Sequence, residues 1–220
     1  SDSLMLIRSI KEEKEVEAIR KACSLSRKII RQVEIRAGRS EAEIASEINS
    51  ITYSLGAEPA FPPIVLSARN SKFPHGRAGG RKLRNGDILL VDWGAKWKGY
   101  CSDFTRCFFI GKAKGEQEKA YEKAQEIFSE VVSFLRPGMH AKEVRKFVAE
   151  RFADASLPEM PHNIGHGIGL DVHEFPSFSR KSEHRLRQGN VIAIEPAAYF
   201  NGFGVRFENT LLLGKKASLL

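Results

Sequence analysis

The chain has 220 residues, 42% hydrophobic and 28% charged, with a formal net charge of +8. That balance excludes a disordered chain and gives enough length to bury a core, as one domain or two small lobes. No apolar run approaches the roughly 18 residues of a membrane span, so no membrane partner is expected. The positive charge permits nucleic-acid binding, but Lys and Arg are scattered among Glu on helical faces and no nucleic-acid face is expected. Cys23, Cys101 and Cys107 lack CxxC spacing, which argues against a disulfide framework and a zinc knuckle. They read as buried thiols in a reducing, cytoplasmic compartment.

In chain order, 11–35 carry apolar residues at helical spacing, from Val16 and Ile19 to Val33, and Gly38 is expected to end that helix. Ser40 with Glu43 forms a capping-box signal for a second helix, through about Leu55 and stopped by Gly56. Ile64-Val65-Leu66 is a short strand, followed by a polar loop holding Phe73-Pro74-His75-Gly76. Ile88 to Trp93 is strand-like, with Tyr100 to Ile110 as its hairpin partner. Helices follow at 116–135 and about Ala141 to Ala155, then loops, short strands and a hairpin around Asn201-Gly202. Asn-Gly is the strongest signal for a type I′ turn, in which both central residues take positive φ. With that loop, Glu195 lies opposite Glu208.

The order helix, helix, strand, hairpin thus occurs twice. Arg36-Ala37-Gly38 matches Arg136-Pro137-Gly138, and Leu83-Arg84-Asn85-Gly86 matches Leu186-Arg187-Gln188-Gly189, at offsets of 100 and 103. Asp92 then matches Glu195, and Asp103 matches Glu208. The pattern is an internal duplication, roughly 11–112 and 116–215, within one domain over 1–220. The two halves are expected to pack about a pseudo-two-fold axis. A hairpin centred on Trp97 and Lys98 would set Asp92 opposite Asp103, as Glu195 faces Glu208. Adjacent acids repel, and four brought together in apolar strands would be prohibitive without counter-cations.

Residues 162–176 read HNIGHGIGLDVHEFP and hold His162, His166 and His173. This stretch has no evident counterpart in the first half. Glycines flank His166, so backbone can approach closely there, and His166 is the candidate nitrogen ligand. Four carboxylates and an imidazole suit Mn²⁺, Fe²⁺, Co²⁺ or Zn²⁺ better than a thiolate-preferring ion.

The stretches NSKFPHGR, LLVDWGAKWKGYCSDFTR, HNIGHGIGLDVHEFP, IAIEPAAYF and GVRFENT together resemble the pita-bread metallopeptidases, which include methionine aminopeptidase, prolidase, aminopeptidase P and creatinase. The resemblance implies an α+β fold of duplicated halves, with a curved, mostly antiparallel sheet backed by helices. It implies two divalent ions, with Mn²⁺ the expected species and Co²⁺, Zn²⁺ or Fe²⁺ as alternatives. All five positions matching the family's ligands are present. Asp92 would bind one ion, His166 and Glu195 the other, and Asp103 and Glu208 would bridge.

The chain is more similar to the Xaa-Pro branch, prolidase and aminopeptidase P, than to methionine aminopeptidase. The implied activity is metal-dependent exopeptidase cleavage at Xaa-Pro bonds by a hydroxide that the two ions activate. The implied substrate is a peptide with proline at the second position. His75, His173 and Glu195 are the implied catalytic groups, with Glu195 also the proton carrier. His75, His162, His173 and Arg206 are implied to bind substrate, and Arg206 also to fix an acidic ligand. Asn209, where many relatives carry Asp, is expected to tune the site. Larger relatives place an N-terminal domain before this region, and this sequence is expected to lack it. The resemblance also allows a homodimer. The alternatives are a methionine aminopeptidase and a catalytically inactive pita-bread binding module.

Overall fold

The computed structural model describes residues 2–113 and 115–220. The first half contains α1 (Asp2–Ser9), α2 (Glu13–Gln32), α3 (Glu41–Ser54), β1 (Glu58–Pro59), β2 (Ile64–Ser67), β3 (Ile88–Trp93), β4 (Ala95–Trp97), β5 (Tyr100–Cys101) and β6 (Phe104–Phe109). The second contains α4 (Gly115–Phe134), α5 (Ala141–Asp154), β7 (Gly165–Gly167), β8 (Glu174–Ser177), β9 (Val191–Ile194), β10 (Ala197–Tyr199), β11 (Gly204–Arg206), β12 (Asn209–Leu213) and β13 (Ala217–Leu219). Helix α1 was not foreseen. It is short, and part of its apolar surface is exposed at Leu4 and Ile7.

Helix α2 ends at Gln32, before the glycine expected to stop it, because Val33 turns extended (φ −74°, ψ 127°). Gly38 has another task. At φ +89° its N–H donates to Leu83 O at 2.9 Å, tying the α2–α3 corner to the strand-entry loop. The second half repeats the device: Gly138, at φ +93°, donates to Leu186 O at 2.7 Å. Ser40 bridges to Lys82 and His140 to Arg185, each at the head of a helix closed by a capping box with Glu43 or Glu143. Gly86 donates to Ile110 O, and Gly189 to Leu213 O. The duplication is written in the backbone hydrogen bonds.

Strands β2, β3 and β6 form one sheet, and β8, β7, β9, β12 and β13 another, all antiparallel. The trio β2-β3-β6 recurs as β7-β9-β12. This corrects the view that 162–176 has no counterpart. Leu66 pairs with Leu90, and His166 pairs with Ala193. Ala193 is the repeat-mate of Leu90, so His166 stands where the first half has Leu66. Flanking sequence hides this equivalence because the polar loop after β2 differs from the Gly-rich β7 and its partner β8.

Both hairpins differ from expectation, in opposite ways. Around Asn201-Gly202 the register is as expected, with Ala197 opposite Arg206 and Asn209 opposite Ile194. Yet neither central residue has positive φ, so the turn is not type I′. A Phe200 N–H bond to Phe203 O at 2.7 Å and the stacked rings of these two residues close it instead. In the first hairpin the loop is Lys98-Gly99, one residue later than expected, and both residues have positive φ (49° and 85°). That shift places Thr105 opposite Asp92, with Asp103 on the diagonal.

Strand β3 is buried on both faces. Ile88 and Leu90 pack into the core of α4 and α5, while Leu89, Val91 and Trp93 pack into that of α2 and α3. The two sheets meet at a bridge between Thr105 and Glu208, where Glu208 N–H donates to Thr105 O at 3.2 Å. All three cysteines are buried free thiols.

The glycines around His166 let β7 lie between its neighbours. A Cβ on Gly167 would sit 2.0 Å from Phe175 O, and one on Gly165 2.3 Å from Ala193 O. Both obstacles are backbone and cannot swing away. Gly167→Ala is expected to cost about 3 kcal/mol. A urea titration that finds an unchanged midpoint at constant slope would contradict this.

Candidate metal centre

Asp92 leaves β3 on the Ile88–Leu90 side, Asp103 precedes β6, His166 is the middle of β7, and Glu208 precedes β12. All nine residues singled out above line a single cleft of about 980 Å³. Within it, one donor atom each from Asp103, His166 and Glu208 lies within 4.8 Å of the others. His166 Nε2 is 3.5 Å from Asp103 Oδ2 and 4.0 Å from Glu208 Oε1. His166 Nδ1 donates to Gly167 O at 3.0 Å, which leaves Nε2 as the lone-pair nitrogen facing the acids.

The other two expected ligands belong to the same cleft. Asp92 and Glu195 line the same cleft but stand outside the group of three. Arg206 draws Asp92 Oδ2 into a 2.6 Å ion pair, and Glu195 Oε2 lies 3.8 Å from His162 Nδ1.

Electrostatics bind the four acids into one unit. Burial, then the charges of Glu208, Asp92 and Glu195, hold the Asp103 carboxyl well above its usual range. Burial pushes Asp92 up to about 7 despite Arg206. Glu195 is raised well above its ordinary value by burial and by Glu208. Burial also raises Glu208, opposed by Arg206 and the Thr105 hydrogen bond. The imidazoles move the other way. Burial lowers His166, and it brings His162 and His173 down to about 4, so all three are neutral near pH 7.

Arg206 organises the acids. It is 2% exposed. Nη2 holds Asp92, Nε donates to Thr105 Oγ1 at 3.0 Å, and Nη1 reaches Tyr199 OH at 3.0 Å and Pro74 O at 3.3 Å. Thr105 Oγ1 passes its own hydrogen to Glu208 Oε2 at 2.7 Å. Every guanidinium nitrogen is thus engaged with protein, which favours positioning of the acids over the substrate contact expected for this residue. Tyr199 OH also lies 2.9 Å from His162 Nε2, while His162 Nδ1 donates to Asn163 O at 2.6 Å. Both His162 nitrogens thus have protein partners. His75 and His173 are exposed in the cleft. Asn209 accepts from Arg106 Nη2 at 2.6 Å, and Arg106 Nη1 donates to Glu208 O at 2.6 Å.

Thr105 and Tyr199 were missed as site residues. Their signal is the strand register. Thr105 faces Asp92 directly, and Tyr199, opposite Gly204, is diagonal to Arg206.

Divalent ions fit these residues. Asp92 Oδ1 and Asp103 Oδ1 are buried with no hydrogen-bond partner, and a mixed oxygen–nitrogen donor set without thiolate suits a hard or borderline ion. The Asp/His/Glu group is a metal-binding site set in a duplicated, antiparallel α+β frame.

Comparison with known proteins agrees. The model of metallopeptidase family M24 matches residues 17–215. The chain is 37% identical over 222 residues to an Xaa-Pro dipeptidase of Pyrococcus horikoshii, covering 99% of this chain and 63% of the relative. The prolidase structure from Pyrococcus furiosus superposes with a TM-score of 0.96 at 35% identity, covering 99% of this chain and 66% of that one. The X-Pro aminopeptidase structure from Thermotoga maritima gives 0.95 at 31%, covering 99% and 64%. The chain belongs to metallopeptidase family M24 and has the pita-bread fold. It spans a little under two thirds of the length of these relatives. Among the described residues, no helix is long and apolar enough to cross a membrane.

Proposed function

We propose that this chain is the catalytic region of a metal-dependent exopeptidase that cleaves Xaa-Pro bonds, with Asp92, Asp103, His166, Glu195 and Glu208 holding two divalent ions. The observation that carries this is the buried Asp103–His166–Glu208 group in a cleft also lined by His75, His162 and His173. Bound there, divalent ions would acidify a water molecule and polarise the peptide carbonyl. Arg206 and Thr105 hold Asp92 and Glu208 in place. Glu195, raised well above its usual range by burial, is suited to carry a proton at Oε2 between water and the departing proline nitrogen. Neutral His173 and the exposed His75 provide N–H groups toward the scissile amide and the oxygen that gains charge. The His162 ring face, steered by Tyr199, supplies a flat wall for a proline ring.

The test is proline release from Xaa-Pro dipeptides and cleavage of Xaa-Pro-Yaa peptides by protein stripped of metal and then given Mn²⁺, Co²⁺, Zn²⁺ or Fe²⁺. Metal-restored hydrolysis of either is the expected result. Release of N-terminal Met without a proline requirement would move the chain to the methionine aminopeptidase alternative. Inertness toward every peptide, in protein shown to be folded, would leave the binding-module alternative.

A further inference from the structure

A buried acid outside the metal-binding group anchors the loop that carries His75. Glu41, in the first turn of α3, has no exposed surface. Its Oε1 accepts from Ser67 N at 2.7 Å, Ser67 Oγ at 2.6 Å and Asn70 Nδ2 at 3.0 Å. Its Oε2 accepts from Asn70 Nδ2 and Gly79 N, both at 3.2 Å. Ser67 and Gly79 are the two ends of the loop that carries His75. We propose that Glu41 is the positioning residue for His75: one carboxylate closes the base of the 67–79 loop and so sets where that imidazole stands over the acids.

The loop is held at two levels. At its crest, Gly204 N–H donates to Ser71 Oγ at 2.8 Å and Arg206 Nη1 donates to Pro74 O at 3.3 Å. At its base, Glu41 is joined by Arg81, which reaches Ser67 Oγ at 2.5 Å and grips Asp87 with two bonds of 2.8 and 3.1 Å. Asp87 adjoins β3, the strand that bears Asp92, so the base of the loop and one acid share a frame. The conformation needs holding. Ala68, next to Ser67, has φ +46°, a region that non-glycine residues adopt at a cost unless their surroundings impose it.

Only a carboxylate serves at position 41. Every group facing it is an N–H or O–H donor, so it must accept at both oxygens, and the N-terminal turn of α3 favours negative charge there. The amide of glutamine would turn donors against donors at one end of the loop.

This proposal rests on the peptidase reading, and its test separates the two. Turnover of an Xaa-Pro dipeptide is measured for wild type, Glu41→Gln, His75→Ala and the double variant, alongside hydrogen–deuterium exchange of the metal-loaded proteins. Each single variant is expected to lower kcat about 10–100-fold, since a displacement of about 1 Å in a catalytic group has that effect. The double variant is expected to be no slower than His75→Ala alone, because Glu41 acts through His75. Amide exchange across 68–78 is expected to quicken about tenfold in Glu41→Gln, while β3 and α5 keep wild-type protection. Losses that multiply in the double variant, or unchanged exchange in the loop, overturn the proposal. A wild type inert toward all Xaa-Pro peptides defeats the peptidase reading, and loop exchange then decides by itself whether Glu41 holds the loop. If Glu41→Gln fails to fold, Asn70→Ala removes only the Asn70 bonds and is read by the same measurements, with the same outcomes for and against.

Discussion

Asparagine in place of Asp103 is expected to lower Xaa-Pro hydrolysis about 10³-fold and, in metal-free protein, to raise thermal stability. The loss follows from removing an anionic donor from the only described group whose three ligand atoms come within 4.8 Å of one another. Several kcal/mol of transition-state stabilisation from bound ions, at about 1.4 kcal/mol per tenfold in rate, corresponds to that factor. The gain in stability follows from the same geometry. Asp103 is buried among Glu208, Asp92 and Glu195, and these together raise its pKa well above the ordinary value. An amide keeps the shape and removes the charge. A stability–activity trade-off of this kind is common at functional sites.

The pH dependence has a definite sign. Asp92, Asp103, Glu195 and Glu208 all have raised values in the folded protein, Asp92 at about 7. The folded chain therefore retains protons that the unfolded chain releases above about pH 4. Their contribution to stability is complete below the unfolded values and is lost as pH rises through the folded ones. Metal-free wild type should lose thermal stability between about pH 5 and pH 8, a range in which ordinary carboxylates are already ionised. Asp103→Asn should flatten the slope, and added divalent metal should remove it by binding the ionised form. Scanning calorimetry in chelator at several pH values decides the matter. Stability that climbs with pH, or a lower melting temperature for Asp103→Asn, would show that the acids are not in conflict.

Arg206→Met is expected to act in the opposite direction on stability. The substitution conserves apolar bulk but strands Asp92 Oδ2 in a buried setting and takes one partner each from Thr105 Oγ1 and Tyr199 OH, which keep only Glu208 and His162. Breaking one side of a buried ion pair costs about 3–5 kcal/mol, most of it the uncompensated partner. Arg206 is 2% exposed, so water offers little relief. Activity should fall about 10–100-fold, the usual effect of losing a group that orients metal ligands. Arg206→Lys should not restore it, since one ammonium cannot span Asp92, Thr105, Tyr199 and Pro74 as the planar fork does. Urea unfolding in chelator measures the first effect, and dipeptide turnover at saturating metal the second. A variant as stable as wild type would remove Arg206 from its place at the centre of the acids.

The acids were legible in the sequence because the matching stretches point to them, Asp92 with Glu195 and Asp103 with Glu208. The observed strand register repeats only the first pair: Glu195 faces Glu208 while Asp92 faces Thr105, so Thr105 holds the repeat position of Glu208. His166 was legible from the glycines around it. The exact neighbours were harder to read. Asn201-Gly202 indicated the right strand register but the wrong turn, because a backbone bond and a ring stack at Phe200 and Phe203 can close a hairpin without positive φ. Lys98-Gly99 was overlooked since lysine is not a typical left-handed residue, and the one-residue error exchanged Asp103 for Thr105 as the partner of Asp92. Tyr199 and Glu41 depend on contacts between segments distant in sequence. No local pattern around Glu41 says that Ser67 and Gly79 will come to it.

The pairing of Leu66 with Leu90, matched by His166 with Ala193, makes the site unequal on its two sides. Of the acids, only Asp92 and Glu195 share a position in the repeat, since Thr105 stands where the second half has Glu208. At a second position one half carries an imidazole, His166, and the other an aliphatic side chain, Leu66. An ion beside His166 would therefore have a nitrogen donor that the other half does not offer, and the two ion positions are expected to differ in metal preference.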